Sequence, residues 1–450
     1  MTALISLQMS AQSFVHETSE SYIWPTDQKV LDNLHKWQDL KFGMLIHWGL
    51  YSVMGRCESW ELTSEDWITP DTTRTYEEFK QYYWGQIDNF NPTDFNPEQW
   101  ASVAKDAGMK YVVCTSKHHD GFCIYDSKQT DFTIMHSPFA SNPRADALKY
   151  IFEAFRKEGM KIGCYFSKPD WHSQDYWWSS RATATRHHNY SIEKYPERWQ
   201  RYQKYVYNQI EELTTGYGAL DILWLDGGWC TPPREDIHLD DIVDMARSYQ
   251  PGLIVVDRAC PGPHENYQTP EQQIPDHQIL NPWETCMTLT TDWGWVPNAK
   301  FKSPAKIISC LAEVVAKGGS FLLGVGPTPT GIIEEESVKR LHEIGKWIKK
   351  NGEAIYNTVT TPIYSNADRS VWFTANKDGK TLYCIVPKAD DKPLPTTVLW
   401  EGNAPKKGSK LTLFHNGKSL KWHTKDNITT VSLPSNMDST NGIAIKYITK

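Results

Sequence analysis

Residues 97–116 read PEQWASVAKDAGMKYVVCTS, and this stretch contains one complete unit of the predicted fold. An Asn followed by Pro97 is typical of a helix start, and apolar residues then recur at helical spacing until Gly108. The apolar run 111–116 that follows predicts a buried β-strand. Residues 145–167 repeat the same helix and strand pattern, and Gly-Met-Lys joins the helix to the strand in both units.

Similar units occur on both sides of this pair. Strands are predicted over 42–46, 220–225, 253–256 and 321–325, and helices over 197–214, 240–248 and 304–316. Helices that alternate with almost wholly apolar strands indicate a parallel sheet covered by helices. Polar residues directly follow most strands, and a barrel would collect them on one face. A doubly wound sheet would not gather so many strand ends, and no GxGxxG loop is present. We therefore predict an α/β fold with a (β/α)8-like, TIM-type catalytic barrel.

The pattern changes after about residue 355. Short strands over 371–374, 381–386, 396–400, 411–414 and 443–448 are separated by Asn, Gly, Lys and Pro, which predicts a small antiparallel β-sandwich. The chain is thus divided into an N-terminal arm (1–28), a catalytic domain (29–355) and a C-terminal sandwich (356–450).

Composition excludes several classes of protein. The net charge of −7 argues against a nucleic-acid binder that relies on a basic surface. No apolar run reaches the ~20 residues that span a bilayer, so no membrane span is expected. The 20 Trp residues, many beside His, Asp or Glu, suit sugars, which stack on rings and need hydrogen bonds, although most of them will fill the core.

The N-terminus contains a signal-like segment. Residues 3–12 resemble the end of a secretory signal, with Ala11 at a plausible cleavage position, although a positive n-region is missing. This predicts export to the periplasm or the extracellular space; the alternative is an ordinary N-terminus with no targeting role.

Asp226 is the first candidate for chemistry. It ends an apolar strand within Trp224-Leu225-Asp226-Gly227-Gly228-Trp229. A carboxylate in such a setting is costly unless it is paired or catalytic, and the two glycines would leave an open approach to it. A capping Asp that orders the loop is an equal alternative on this pattern alone.

Histidines follow two other strands. His118 and His119 are adjacent and His47 precedes Trp48. Adjacent histidines seldom bind one ion and no partner set has ligand spacing, so no metal or other cofactor is expected. Neutral imidazoles that bind sugar hydroxyls fit the context better; the alternative is that they only bind backbone or solvent.

A second carboxylate for acid and base chemistry has four candidates, Glu58, Glu61, Glu271 and Glu284. Apolar neighbours could raise the pKa of Glu284 into the range of a general acid. Glu271 lies in a long loop after the strand that precedes Arg258, from which it could lean over a pocket. Composition does not choose between them.

Four segments together resemble the alpha-L-fucosidases of glycoside hydrolase family 29. They are 42–53 (FGMLIHWGLYSV), 117–122 (KHHDGF), 224–226 (WLD) and 317–327 (KGGSFLLGVGP), in the order of the family. Ordered matches of this kind are far more specific than a single motif.

The resemblance implies a retaining exo-glycosidase that removes terminal alpha-L-fucose from glycans, on a barrel followed by a β-sandwich. It implies that Asp226 is the nucleophile, and that Glu271 is the general acid/base, with Glu284 as the other candidate. The positions that match fucose contacts are His47, His118, His119, Tyr165, Trp224 and Arg258, with Trp293 near the methyl side of the sugar. Where the family has a Glu-Trp pair, this chain reads Glu58-Ser59-Trp60-Glu61, so Glu58 and Trp60 are taken as binding residues.

Two alternatives to this function stay open. One is a retaining glycosidase that acts on a galactose-like sugar, and the other is a fucose-binding protein that has lost catalysis.

Overall fold

The computed structural model describes residues 22–183, 185–390, 392–435, 437 and 441–449. Its centre is a parallel sheet of seven strands, and nearly every residue in them is buried. The strands are β1 Phe42–Ile46, β2 Tyr111–Lys117, β3 Lys161–Ser167, β4 Ile222–Asp226, β5 Ile254–Asp257, β6 Glu284–Thr288 and β7 Ser320–Val325. Burial on both faces explains why these strands appear in the sequence as continuous apolar runs.

The order of the strands is β5-β4-β3-β2-β1-β7-β6, the circular order of a barrel with one place left between β5 and β6. Residues 265–272 occupy that place. The N–H of Asn266 donates to Val255 in β5 (3.0 Å), and the N–H of Gln272 donates to Cys286 in β6 (2.9 Å). Pro270 lacks an N–H, so this segment does not form a regular ladder. The predicted barrel-like α/β fold is confirmed.

Nine α-helices are described, and most of them lie between successive barrel strands. They are α1 Gln28–Gln38, α2 Leu50–Met54, α3 Tyr76–Trp84, α4 Pro97–Asp106, α5 Ala147–Lys157, α6 Pro196–Gly216, α7 Leu239–Tyr249, α8 Pro304–Ala316 and α9 Glu335–Asn351. The side chain of Asn96 accepts from Gln99 at the start of α4, and Ser303 caps α8 in the same way through Lys306. Local capping signals therefore set these boundaries where the sequence predicts them.

The C-terminal region consists of two antiparallel sheets. Its strands are β8 Thr358–Val359, β9 Trp372–Asn376, β10 Thr381–Pro387, β11 Thr397–Glu401, β12 Thr412–Leu413, β13 Lys421–Lys425, β14 Ile428–Ser432 and β15 Gly442–Ile448. One sheet has the order β12-β15-β10-β9-β8 and the other β11-β14-β13. Phe373 of the first sheet and Trp400 of the second pack together in a shared core. The predicted sandwich is confirmed.

Four strands were not predicted from the sequence, namely β6, the two-residue β8, β13 and β14. β6 begins with a charged residue and contains two Thr, so it has no aliphatic run. β13 and β14 form a hairpin whose outer strand is mostly exposed, so the apolar pattern is weak. Its turn residues, Asp426 and Asn427, both have positive φ, as tight hairpin turns require.

The signal-like segment, residues 3–12, lies outside the described residues. Within the described ranges, no helix is both long enough and apolar enough to cross a membrane.

Candidate active site

The carboxyl ends of the barrel strands surround one pocket with an open mouth. The residues that line it come from strand ends and from the loops between them. They are Leu45, His47, Glu58, Trp60, His118, Tyr165, Arg186, Trp224, Asp226, Gly228, Trp229, Arg258, Ala259, Glu271, Cys286 and Trp293. Ten of the twelve predicted site residues are in this set, and His119 and Glu284 are not.

Asp226 is held by donors on both carboxylate oxygens. Oδ2 accepts from the hydroxyl of Tyr165 (2.6 Å), and Oδ1 accepts from Nη1 of Arg258 (2.8 Å) and from the N–H of Gly227 (2.8 Å). Burial alone would raise the pKa of Asp226, but the Arg258 charge and these donors hold it well below its usual range. Asp226 is therefore an ionised carboxylate in the pocket wall.

The glycines after Asp226 allow the neighbouring segments to approach closely. Gly227 has a φ of +89°, and a Cβ there would collide with Pro169. A Cβ on Gly228 would lie 2.8 Å from the backbone oxygen of Arg258. Glycine is thus required at both positions by backbone conformation or by space.

Arg258 connects the two candidate catalytic carboxylates. Its Nη1 donates to Asp226, and its Nη2 donates to Oε2 of Glu271 (2.6 Å). The guanidinium also lies over the ring of Trp224, 4.5 Å from the centroid. The side chain of Arg258 is only 10% exposed, and these three contacts hold its guanidinium in place.

The structure separates the two candidate acids. Glu271 lies on the segment between β5 and β6, pairs with Cys286 through the backbone and exposes 40% of its side chain at the pocket. Glu284 begins β6 and is fully buried, where it accepts hydrogen bonds from Tyr111 and Trp224. Burial raises the pKa of Glu284 to about 7, but the side chain is not part of the pocket wall.

The three predicted histidines surround Asp226 and stay neutral. Nδ1 of His118 lies 2.5 Å from the hydroxyl of Ser59, and Nδ1 of His119 lies 2.7 Å from that of Ser167. Burial lowers the pKa of His47 and His118 well below the usual range, and lowers that of His119 to about 3. Nε2 of His119 is 3.7 Å from Asp226, so this residue stands directly behind the pocket wall.

Glu58 positions the loop that carries Trp293. Its Oε1 accepts from the N–H groups of Trp293 (2.8 Å) and Gly294 (3.0 Å), and burial raises the pKa of Glu58. The ring of Trp293 then packs against His47 at 5.4 Å between centroids. The ring of Trp60 packs against His119, at 5.2 Å between centroids.

Six lining residues are not among the predicted site residues, and two of them, Arg186 and Trp229, have large side chains suited to contacts with a sugar. Trp229 lies at the end of the Asp226 motif, so its position was a usable signal. Arg186 lies in an irregular loop, and only the folded chain brings its guanidinium over the rings of Trp60 (4.8 Å) and Trp229 (5.0 Å).

His118, His119 and Asp226 offer ligand atoms within 4.8 Å of one another. These atoms are a poor fit to a cation, since the Asp226 carboxylate already bonds to the Arg258 guanidinium and a second positive charge would meet repulsion. Cys286 also lines the pocket, but burial raises the pKa of its thiol well above the usual range, so it is a weak nucleophile. The chemistry of the pocket therefore depends on its carboxylates.

Comparison with known proteins gives consistent matches. The family model described as alpha-L-fucosidase matches residues 9–353. Mouse tissue alpha-L-fucosidase is 30% identical over 383 residues, which cover 77% of this chain and 77% of the mouse protein. The human tissue alpha-L-fucosidase is 28% identical over 480 residues, covering 96% and 92% of the two chains. The solved structure of alpha-L-fucosidase isoenzyme 1 from Paenibacillus thiaminolyticus is 29% identical, has a TM-score of 0.78, and matches 94% of this chain and 100% of that one.

Proposed function

This chain belongs to the alpha-L-fucosidase family and is a glycoside hydrolase, and from that premise we propose that it removes terminal alpha-L-fucose from fucosylated glycans with retention of anomeric configuration. The observation that carries the proposal is the arrangement of Asp226 and Glu271, two carboxylates of one pocket that share the guanidinium of Arg258.

In the first step, a carboxylate oxygen of Asp226 forms a bond to the anomeric carbon while the bond from that carbon to the leaving oxygen breaks. The low pKa of Asp226 keeps the nucleophile ionised. The glycosidic oxygen takes a proton from Glu271 and leaves as an alcohol. The transition state resembles an oxocarbenium ion, and the product is a fucosyl ester of Asp226.

In the second step, water attacks the anomeric carbon and Glu271 accepts the proton from it. The ester bond breaks, and fucose leaves with the same anomeric configuration as the substrate. A retaining pair needs carboxyl groups ~5–5.5 Å apart, whereas an inverting pair needs ~6.5–9.5 Å to hold a water between them. Two carboxylates that bind neighbouring nitrogens of one guanidinium support the shorter separation.

The histidines bind the sugar rather than transfer its protons. Because burial holds their pKa values low, neutral imidazoles of His47 and His118 donate to or accept from fucose hydroxyls. Trp293 supplies an apolar surface for the methyl group of the sugar.

The test is the configuration of the first-formed product. Proton NMR of an aryl alpha-L-fucoside digest should show alpha-L-fucose before the anomers equilibrate, and Asp226→Gly should abolish release. A beta-anomer as first product, or an active Asp226→Gly, would overturn the retaining mechanism. Stronger turnover of a galactoside would favour the galactose-like alternative, and binding of fucose without any hydrolysis would favour a silent binding protein.

We also propose that the enzyme is exported, on the basis of the signal-like segment around Ala11. Expression in a bacterial host tests this, since the mature protein should appear in the periplasmic fraction or the medium with a shortened N-terminus. Recovery of the uncleaved chain in the cytoplasm would contradict it.

A further inference from the structure

Trp67 is an exposed tryptophan beside the active-site pocket. It lies on the loop after Trp60, and 56% of its surface is accessible, whereas Trp171 and Trp177 of the opposite loop are buried. Indole faces are suitable platforms for the C–H faces of sugars.

Trp60 connects Trp67 to the pocket. The two indoles pack at 5.2 Å between centroids, and Trp60 itself lines the pocket and packs on His119. The aromatic surface thus continues from the predicted fucose site to the exterior, where the remainder of a glycan would lie.

Trp60, Trp67 and Arg186 together form what we call the rim of the pocket, and Arg186 lies on a different loop from the two tryptophans. Its guanidinium lies over the faces of Trp60 and Trp229, and its Nε donates to Oε1 of Glu65 (2.8 Å). Within the described part of the chain, no hydrogen bond uses its terminal nitrogens. These two nitrogens are therefore available donors at the pocket wall.

Both rim loops are held in place. The Glu65–Arg186 ion pair joins the Trp67 loop to the Arg186 loop, and the hydrogen bond from Arg186 lowers the pKa of Glu65. On the far side, the buried carboxylate of Glu235 bonds to Nδ1 of His187 (2.7 Å) and Nδ1 of His188 (2.9 Å). A rim fixed in this way is preorganised for binding.

We propose that Trp67 and Arg186 form a subsite for the pyranose sugar that carries the fucose, with Trp67 stacking on its ring and Arg186 donating to its hydroxyls. This inference rests on the proposed function and adds the recognition of the leaving group to it. The acceptor is a neutral sugar, because Glu65 already compensates the charge of Arg186. The enzyme then recognises both the fucose and the sugar that carries it.

The test compares a substrate that reaches the subsite with one that does not. Alpha-L-fucosyl fluoride has no acceptor sugar, whereas a fucosylated N-acetyllactosamine does. For Trp67→Ala we expect the ratio of kcat/KM on the oligosaccharide to kcat/KM on the fluoride to fall about tenfold, mainly through KM, the size expected for loss of one stacking contact. Trp67→Phe should recover part of this ratio, and Arg186→Met, which loses the donors, should also lower it.

Trp24 provides a matched control, because it is 44% exposed and packs on Tyr22, which does not line the pocket. Trp67, in contrast, packs on the pocket-lining Trp60. Trp24→Ala should keep the wild-type ratio. An unchanged ratio in Trp67→Ala, or an equal loss on both substrates, would overturn the subsite while leaving the fucosidase proposal intact. Wild-type protein that hydrolyses neither substrate would overturn the proposed function and the subsite with it.

Discussion

Glu271→Gln should lower the rate of hydrolysis with little effect on stability, whereas Glu284→Gln should mainly lower stability. Comparing the two variants identifies the general acid/base. Burial raises the pKa of Glu284 to about 7, which by itself would favour Glu284 as the general acid. However, a general acid must first be within reach of the proton that it transfers. Glu271 is at the pocket, and Glu284 lies within the core.

For Glu271→Gln we expect kcat/KM on a fucosylated disaccharide to fall by roughly 10²–10⁴-fold, the usual contribution of a positioned acid. That corresponds to about 3–5 kcal/mol of transition-state stabilisation. A dinitrophenyl fucoside has a leaving group that needs no proton, so formation of the fucosyl-enzyme from it should be almost unaffected. Stability should change by less than about 1 kcal/mol, because the Glu271–Arg258 pair is well exposed on the Glu271 side.

For Glu284→Gln the effect should fall on folding. Its carboxylate accepts from Tyr111 and Trp224, and an amide at this position leaves at least one of these buried donors unsatisfied. The cost is about 1–3 kcal/mol for each such donor. Any loss of rate should be the same for both leaving groups, because proton donation to the leaving oxygen is not affected.

The assay is pre-steady-state and steady-state release of both aglycones, together with urea unfolding of each variant. Azide should restore turnover of Glu271→Ala and give a fucosyl azide, since a small anion can replace the base-assisted water. A leaving-group dependence that appeared in Glu284→Gln and not in Glu271→Gln would refute this assignment.

Three further predictions concern charge and packing. Arg258→Met should shift the acid limb of the kcat/KM profile to higher pH, because Asp226 loses its main compensating charge and its pKa rises; an unmoved limb would contradict this. Despite burial, hydrogen bonds from His187 and His188 lower the pKa of Glu235 from 4.5 to about 2, so the carboxylate contributes stability above pH 4.5 that is lost as the pH falls towards 2. Glu235→Gln should therefore remove about 3 kcal/mol of the pH dependence of unfolding in this window, measured by urea titration, and an unaltered pH dependence would count against it. Gly319→Ala should destabilise the barrel by about 1–3 kcal/mol, because the new Cβ would lie 2.5 Å from the buried ring of Trp283; an unchanged urea midpoint would show that the ring has room to move.

The barrel could be predicted from the sequence because its signals are local. The helix over 304–316 has the predicted limits, since Ser303 and Pro304 set its start and apolar residues fill its interior. β6 was missed because its burial depends on neighbours rather than on its own composition. The hairpin of β13 and β14 was missed because its strands are half exposed.

Part of the candidate site followed from one geometric rule, that the ends of parallel strands meet on one face, and the family resemblance implied the other predicted residues. This rule brings His47, His118, Asp226 and Arg258 together without any knowledge of the loops. It does not place Arg186, whose position depends on Glu65, 121 residues away in the chain. Long-range ion pairs between irregular loops have no pattern in a single sequence. The rim could therefore be identified only from the structure.

The position of Glu271 explains how one guanidinium serves both halves of the proposed reaction. Sequence reasoning placed Glu271 on a loop leaning over the pocket, but residues 265–272 bond to the barrel strands on both sides. A carboxylate fixed in the wall is at a defined distance from the nucleophile, as a retaining mechanism requires. In the free enzyme, Arg258 is shared between Asp226 and Glu271. When Asp226 becomes an ester its charge disappears, while Glu271 has given its proton to the leaving oxygen and keeps its contact with Arg258. Glu271 is then the carboxylate that takes a proton from water in the second step, and Nη2 of Arg258 holds it at the pocket wall.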